Sequence, residues 1–299
     1  MIILSENSLP VLERTSCTVG TFDGIHKAHQ KIIKELKNET TLKSLIITFE
    51  PPPKLYFSNT RCLITDFETK IYILKTLNID YLYIIEFNQK FLKIKADEFL
   101  KFLIQKLNCK KLVVGYDWRF GYRKEGNIDF LKSKQQNYNY ELKVINPIVE
   151  ENIRISSTKI RELLKNGKVE SVKSLLGRVY FLRGKVIEGN KLGRKLGFPT
   201  LNISPDKRVC LKKGVYAGFV EYKKHFYKSV INYGTRPTVN GNKLLLEAHI
   251  LEEKLNINNE YINIHFLKFI REEKKFNSLT ELVNQIKLDI IKAKNILNS

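Results

Sequence analysis

The sequence predicts two domains of different class: a parallel α/β sheet with helices on both faces, then an antiparallel all-β barrel or sandwich closed by a C-terminal helix. Three observations predict it. Short Ile-, Val- and Leu-rich runs alternate with helical patterns through the first half. From Val179 to Ile270 the texture changes to short strands separated by Gly, Asn and Pro turns. The last residues return to a helical apolar period. A chain of 299 residues suits two such cores.

The expected strands of the first half are Cys17–Gly20, Ser44–Phe49, Tyr81–Phe87, Lys111–Val114 and Leu142–Ile145. Helices are expected over His26–Leu36, Asp66–Leu77 and Ala96–Leu107, with a longer helical stretch over Ser156–Leu176. In sheets of this kind ligands bind beyond the carboxyl ends of the strands. The second half carries turn signals at Gly189-Asn190, Gly193, Gly197, Gly214 and Asn240-Gly241. Ser278 and Glu281 have capping-box spacing, and Leu279, Leu282, Val283, Ile286, Ile290, Ala293 and Leu297 follow the helical period. The boundary is placed near Gly177, giving domains of residues 1–176 and 177–299.

Lys+Arg outnumber Asp+Glu by 52 to 31, for a net charge of +21. The lysines are scattered (Lys31, Lys34, Lys37, Lys43) and there is no long basic tail, so they read as a solvated surface rather than a specific nucleic-acid interface. A positive field still gathers anionic substrates. Cys17, Cys62, Cys109 and Cys210 form no Cys-x-x-Cys pair and each reads as a buried thiol. No secretory leader and no membrane-crossing stretch is expected, which makes the cytoplasm the default compartment. The sequence does not encode an oligomeric state.

Two segments concentrate chemistry. In Gly20-Thr21-Phe22-Asp23-Gly24-Ile25-His26-Lys27-Ala28-His29 a strand turns into a helix. Gly20 and Gly24 permit close backbone approach, the helix start attracts anions, and His26 and His29 share one helix face. These features suit a triphosphate. In the second half, Gly184 to Asn202 contains Gly189, Gly193 and Gly197, which let a loop close around phosphates. If Thr200 to Asn202 is extended, Thr200 and Asn202 point to one side and offer oxygens to Mg²⁺. Glu247 lies in an apolar strand, where a carboxylate is either solvent-facing or functional.

The first segment resembles the His-x-Gly-His nucleotidyltransferases, and more narrowly the adenylyltransferase module of bifunctional riboflavin kinase/FAD synthetases. It departs at Ala28, where that family has Gly. Val114-Gly115-Tyr116-Asp117-Trp118-Arg119-Phe120-Gly121 and Ile155-Ser156-Ser157-Thr158-Lys159-Ile160-Arg161 resemble two further motifs of the family. Phe49-Glu50-Pro51-Pro52-Pro53 fits less well, with Pro52 in place of a His. The glycine-rich run ending Gly197-Phe198-Pro199-Thr200-Leu201-Asn202 resembles the riboflavin kinase motif, with Leu201 for Ala, a change expected to affect packing only. Asn232-Tyr233-Gly234-Thr235-Arg236-Pro237-Thr238, Leu246 to Ile250 and Ile270 to Phe276 match the motifs that follow it, whereas the family's Tyr-Gly before the last strand is absent, with Asn258-Asn259 nearby, so a different turn is expected there.

The resemblance covers nearly the whole chain. It implies a Rossmann-like nucleotidyltransferase domain, then a six-stranded riboflavin kinase barrel with a terminal helix. It implies that riboflavin is phosphorylated to FMN with Mg·ATP and FMN adenylylated to FAD. In the adenylyl site it implies ATP contacts from Gly20, Thr21, Phe22, Asp23, Gly24, Ser156, Ser157 and Thr158, and catalytic roles for His26, His29 and Arg161. In the kinase site it implies ATP contacts from Gly189, Gly193, Gly197, Thr200 and Asn202, the last two holding Mg²⁺, with Glu247 as general base and His249 in support. Asp117, Phe120, Asn232 and Arg271 are expected at flavin, Arg271 being otherwise a salt-bridged surface residue. The competing readings are an enzyme with one working site, another nucleotidyltransferase, and a nucleic-acid-binding protein.

Overall fold

The computed structural model describes residues 1–57, 62–150, 153–189, 192–204, 208–238, 241–253, 255 and 257–298. The predicted turn residues Asn190 and Asn240 lie outside them. Two compact units emerge, one made of Met1–Arg61 with Ile73–Ser156, the other of Cys62–Tyr72 with Ser157–Ser299.

The strands of the first unit are β1 (Ile2–Leu4), β2 (Thr15–Val19), β3 (Lys43–Glu50), β4 (Tyr81–Glu86), β5 (Cys109–Gly115) and β6 (Glu141–Ile145). They form one sheet in the order β1-β4-β3-β2-β5-β6, every pair parallel. Cys17, Leu45, Ile46, Ile47, Leu112 and Val113 have no exposed surface, as expected of central strands covered on both faces. The helices are α1 (Lys27–Leu36), the short α2 (Pro53–Tyr56), α3 (Phe67–Thr76, whose residues up to Tyr72 belong to the second unit), the short α4 (Gln89–Leu92), α5 (Ala96–Lys101) and α6 (Ile128–Tyr138). The helix expected over Ala96–Leu107 keeps its first half as α5 and continues as a π turn at Phe102–Lys106. The first unit also holds the short antiparallel pair β7 (Val149–Glu150) and β8 (Ile153–Arg154).

β1 and α6 are elements the sequence pattern does not reveal. β1 has Ile2 and Ile3 largely exposed on the sheet edge, and α6 has a weak apolar stripe with Leu131 as its buried residue. The chain runs from β2 outward through β3 and β4, then returns to lay β5 on the other side of β2. The carboxyl ends of β2 and β5 therefore flank the topological switch point, where such sheets open a crevice.

The second unit begins with two helices, α7 (Ser157–Lys165) and α8 (Val169–Leu176), in place of the single stretch expected there. Gly167, at φ +74°, makes the break. The strands are β9 (Tyr180–Ile187), β10 (Leu201–Ile203), β11 (Gly214–Tyr222), β12 (His225–Thr238), β13 (Gly241–Ile250) and β14 (Tyr261–Arg271), with α9 (Leu192–Lys195) between β9 and β10. They close an antiparallel barrel in the order β10-β13-β12-β11-β14-β9. Alternation decides its two faces. Leu246, Ala248, Ile231 and Tyr233 are buried in the interior, whereas Leu245, Glu247, His249 and Asn232 are half-buried on the other face. The 20-residue α10 (Leu279–Asn298) follows. Ser278 Oγ accepts the Glu281 N–H at 3.1 Å, but the Glu281 carboxylate accepts from Asn277 N–H rather than closing the box on Ser278.

The strap Cys62–Tyr72 is part of this second unit. Leu63 bridges Val209, and Tyr180 Oη donates to the Ile64 carbonyl at 2.8 Å. The Arg183 guanidinium stacks over Tyr72 at 4.3 Å. Cys62 and Cys210 form a disulfide across 148 residues, which corrects the reading of four buried thiols; Cys17 and Cys109 are free and buried. Sequence spacing gave no sign of this pair because neither cysteine sits in a local motif.

Candidate functional site

The loop from β2 to α1 builds the first candidate site. Phe22 (φ +50°), Gly24 (φ +79°) and Ile25 (φ +41°) all take left-handed backbone. Glycine adopts this without penalty, but a phenylalanine and a β-branched isoleucine are strained there by about 1–3 kcal/mol each. Their side chains are 2 % and 0 % exposed, so core packing holds the loop in shape. Gly20 N–H donates to Ile47 O at 3.0 Å and Gln30 Nε2 to Ile25 O at 2.9 Å, which ties both ends of the turn.

His26 occupies the N-cap position of α1 and is 5 % exposed. Its ring stacks on that of His29, with centroids 3.7 Å apart and 16° between planes, and Phe22 packs edge-on against His29 at 5.2 Å. The expected imidazole pair is therefore one built unit. Burial, and then the neighbouring His26, push the His29 imidazole well below its ordinary range, so it stands neutral at pH 7. Lys27, the next residue after the cap, is held by the Glu150 carboxylate at 2.6 Å.

Across the switch point, β5 ends at Gly115 and leads to Tyr116, Asp117 and Trp118. Asp117 is exposed and paired with Arg154 Nη2 at 2.8 Å, while the Arg154 guanidinium lies over the Tyr116 ring at 5.1 Å. Arg154 escaped the sequence reading because its partner lies 37 residues away. Phe120 is 8 % exposed in the core, stacked on Trp118 at 4.3 Å and packed on Phe99 and Phe130. That burial corrects its expected place against flavin; the half-buried Trp118 is the aromatic nearer solvent. Pro52 is buried at the start of α2. Ser156 falls in the first unit, while Ser157, Thr158 and Arg161 stand on α7 in the second, Arg161 donating to Thr158 Oγ1 at 3.3 Å. Their assignment to the adenylyl site rests on the sequence resemblance alone.

In the barrel, one register row gathers residues far apart in sequence. Asn202 on β10 is opposite Glu247 on β13, Glu247 opposite Asn232 on β12, Asn232 opposite Val215 on β11, and Val215 opposite Arg271 on β14. All five line a cavity of about 380 Å³ whose wall includes Leu282, Ile286 and Asp289 of α10. Gly193, Thr200 and His249 line it too. A second cavity, of about 620 Å³, is lined by Gly189, Gly197, Leu201, Ala248 and Ile250. Thr200 and Asn202 border both. Leu201 therefore does more than repack: it forms part of the second cavity's wall.

Local contacts fix these side chains. His249 Nδ1 donates to the Pro199 carbonyl at 2.8 Å, which sets the ring's tautomer and holds the chain leading into Thr200. A methyl group on Gly189 would collide with the Asn202 amide, so glycine there is what lets Asn202 keep its place. Asn202 Nδ2 donates to Thr200 O at 3.3 Å. The Thr200 hydroxyl and Asn202 amide oxygen are neutral hard donors, and the described residues hold no group of three His, Cys, Asp or Glu side chains placed for a metal. That donor set fits Mg²⁺, which takes few protein oxygens and completes its shell with phosphate and water. Asn259, at φ +62°, makes a left-handed turn ahead of β14, and Asn258 lines the second cavity.

Two family models match the chain: FAD synthetase over residues 9–159 and riboflavin kinase over residues 176–297. The bifunctional riboflavin kinase/FMN adenylyltransferase of Buchnera aphidicola from Acyrthosiphon pisum is 37% identical over 94% of this chain and 93% of its own. That of Haemophilus influenzae is 36% identical over 98% and 97%. The chain belongs to the bifunctional riboflavin kinase/FMN adenylyltransferase family. A solved structure of a macrolide-efflux protein from Streptococcus pneumoniae shares the fold, with a TM-score of 0.83, 29% identity and 98% of each chain covered. No helix among the described residues is long and apolar enough to cross a membrane.

For a riboflavin kinase/FMN adenylyltransferase, Arg271 is the residue whose surroundings differ most from expectation. Its Nε and Nη2 donate to the Asp289 carboxylate at 2.7–3.0 Å, its Nη1 donates to Glu272 O at 2.8 Å, and Gln285 Nε2 donates to the same carboxylate at 2.9 Å. Asp289 is 2 % exposed. The guanidinium is mostly covered and ties β14 to α10 while still lining the cavity under α10, rather than standing as a surface ion pair. Asp289→Ala leaves a buried, unpaired arginine and is expected to cost about 3–5 kcal/mol. Urea denaturation checks this, and Arg271→Met combined with Asp289→Leu should recover most of the loss.

Proposed function

We propose that the row through Asn202, Glu247 and Asn232 carries the riboflavin kinase reaction and the β2–α1 turn carries FMN adenylylation, within residues 177–299 and 1–176 respectively. The observation that carries the reading is that Thr200 and Asn202 border two cavities at once. A phosphoryl donor and its acceptor need to meet at one place, and among the described residues Thr200 and Asn202 are the ones that line both cavities. The cavity under α10 takes riboflavin, and the one lined by Gly189 and Gly197 takes ATP. Thr200 and Asn202 would hold Mg²⁺, which when bound would neutralise charge on the phosphate oxygens. Glu247 faces the riboflavin cavity and accepts the proton of the ribityl hydroxyl as that oxygen bonds to the γ-phosphorus. Asn232 orients the same chain by hydrogen bonding, and His249 keeps Thr200 in register.

In the adenylyl site an oxygen of the FMN phosphate bonds to the α-phosphorus of ATP and pyrophosphate leaves. No covalent nucleophile is required. His26, the neutral His29 and the backbone from Gly20 through Gly24 position the triphosphate and stabilise charge as the α-phosphoryl group transfers. Asp117, with Trp118 beside it, serves the flavin side of the crevice.

Incubation with riboflavin and Mg·ATP, followed by separation of the flavins, tests the reading. FMN should appear first and FAD after it, with pyrophosphate released only alongside FAD. Riboflavin recovered unchanged would overturn the kinase assignment, and FMN accumulating without FAD would overturn the adenylyl assignment.

A further inference from the structure

Cys62 and Cys210 are joined, while Cys17 and Cys109 are thiols sealed in the core of the first unit. The two joined cysteines differ in access. Cys62 is half-buried and Cys210 is 3 % exposed, so a thiolate from solution meets the bond from the Cys62 side. What surrounds the bond stays in place when it opens. Leu63 N–H donates to Arg208 O at 2.7 Å and Cys210 N–H donates to Leu63 O at 2.8 Å. Further along the strap, Tyr180 Oη donates to Ile64 O at 2.8 Å and Arg183 N–H donates to Thr69 Oγ1 at 2.9 Å. These bonds keep the two sulfurs near each other after reduction, so the disulfide can form again. Each is individually weak, so residues 208–212 gain freedom while the covalent tie is open.

The segment that carries Cys210 also braces the cavity under α10. Lys212, next but one in the chain, donates its N–H to Leu164 O at 3.0 Å. Its amino group pairs with the Glu272 carboxylate at 2.7 Å and lies over the Phe269 ring at 5.0 Å. Glu272 stands between Arg271 and Glu273, both of which line the cavity. Arg271 Nη1 donates to the Glu272 carbonyl at 2.8 Å, and the Glu273 carboxylate accepts the Thr235 N–H at 2.9 Å. The path from sulfur to cavity is therefore short and continuous: Cys210, Lys212, Glu272, Arg271.

We propose that Cys62–Cys210 is a thiol–disulfide exchange site that, acting through Lys212 and Glu272, regulates FMN formation, the oxidised protein being the faster form. Its effect on riboflavin rests on reading the cavity under α10 as the riboflavin cavity. The reductant is a small thiol of the glutathione class. One thiolate attacks the Cys62 sulfur, the Cys62–Cys210 bond breaks, and Cys210 leaves as a thiolate that takes a proton. A second thiolate attacks the reductant's sulfur in the mixed disulfide, so the oxidised reductant departs and Cys62 leaves as a thiolate that takes a proton. Two electrons pass from two thiols to the protein disulfide, and the reverse sequence closes it. With the bond open, Lys212 no longer holds Glu272 in one position, and the end of β14 presents Arg271 and Glu273 less firmly to the cavity.

The full chain equilibrated in glutathione buffers of graded redox ratio tests this. One half of each sample is quenched in acid, denatured and alkylated; its mass should show two alkylated cysteines at the oxidising end and four at the reducing end. The other half is assayed. Reduction should raise the KM for riboflavin about 5–10-fold, leave FAD formation from supplied FMN unchanged, and be reversed on re-oxidation. Cys62→Ser combined with Cys210→Ser should hold the raised KM at every buffer ratio. Lys212→Met should show it with the disulfide closed. Four alkylated cysteines in the most oxidising buffer, equal FMN kinetics in the two states, a parallel fall in FAD formation, or an ordinary KM in Lys212→Met would each overturn the proposal. If reduction slows FMN formation by raising the KM for ATP instead, the exchange site stands and the assignment of the α10 cavity to riboflavin falls.

Discussion

Glu247→Gln is expected to stop the conversion of riboflavin to FMN while leaving FAD formation from added FMN at its normal rate. Glutamine keeps the size and hydrogen-bonding reach of the side chain but cannot take up a proton. A positioned general base contributes about 10²–10⁴-fold, and that is the loss expected in kcat. The KM for riboflavin should move little, because Asn232 and the α10 wall still define the cavity. The geometry favours this outcome: Glu247 lies between Asn202 and Asn232 in one row, half-buried and facing the cavity rather than bulk solvent. Initial rates of FMN formation across a range of riboflavin concentrations give the measurement. A Glu247→Gln protein with wild-type kcat would remove the carboxylate from the mechanism.

The mirror-image result is expected for His26→Ala: FMN accumulates and FAD does not. Loss of one charge-stabilising donor in a transfer site costs about 10²–10³-fold. The substitution also removes the ring on which His29 stacks, so His29 loses its orientation as well as its neighbour. His26→Asn restores a hydrogen-bonding group without the stack and should recover little. Release of pyrophosphate from ATP and supplied FMN is the direct assay, and FMN formation from riboflavin in the same sample reports that the barrel is intact. Loss of both activities in a folded His26→Ala protein would contradict separate sites.

Much of the site was legible because its residues sit in short, local patterns. Alternation along an extended chain placed Thr200 and Asn202 together, and the strand-to-helix turn at Gly20–His29 announced itself by its glycines and its paired histidines. The parallel sheet and the closing helix followed from apolar periodicity for the same reason. What escaped the reading depends on partners distant in the chain. Nothing near Arg271 reveals that Asp289 will meet it, and nothing near Asp117 announces Arg154. Phe120 looks like a flavin contact in its motif, and only the packing of Phe99 and Phe130 against it shows that it is core. β1 escaped because edge strands are short and exposed, and α6 because its stripe is thin. The glycine at 167 that splits α7 from α8 is a single residue inside an otherwise continuous helical pattern.

The strap at residues 62–72 bears on how the polypeptide can be dissected. A fragment that starts after α8 would be born without Tyr72 to stack on Arg183, without the Ile64 carbonyl that receives the Tyr180 hydroxyl, and with a thiol at Cys210 seeking a mate. No single cut in the gene frees an intact C-terminal piece. Whatever selective value either catalyst has on its own, this chain passes them on together.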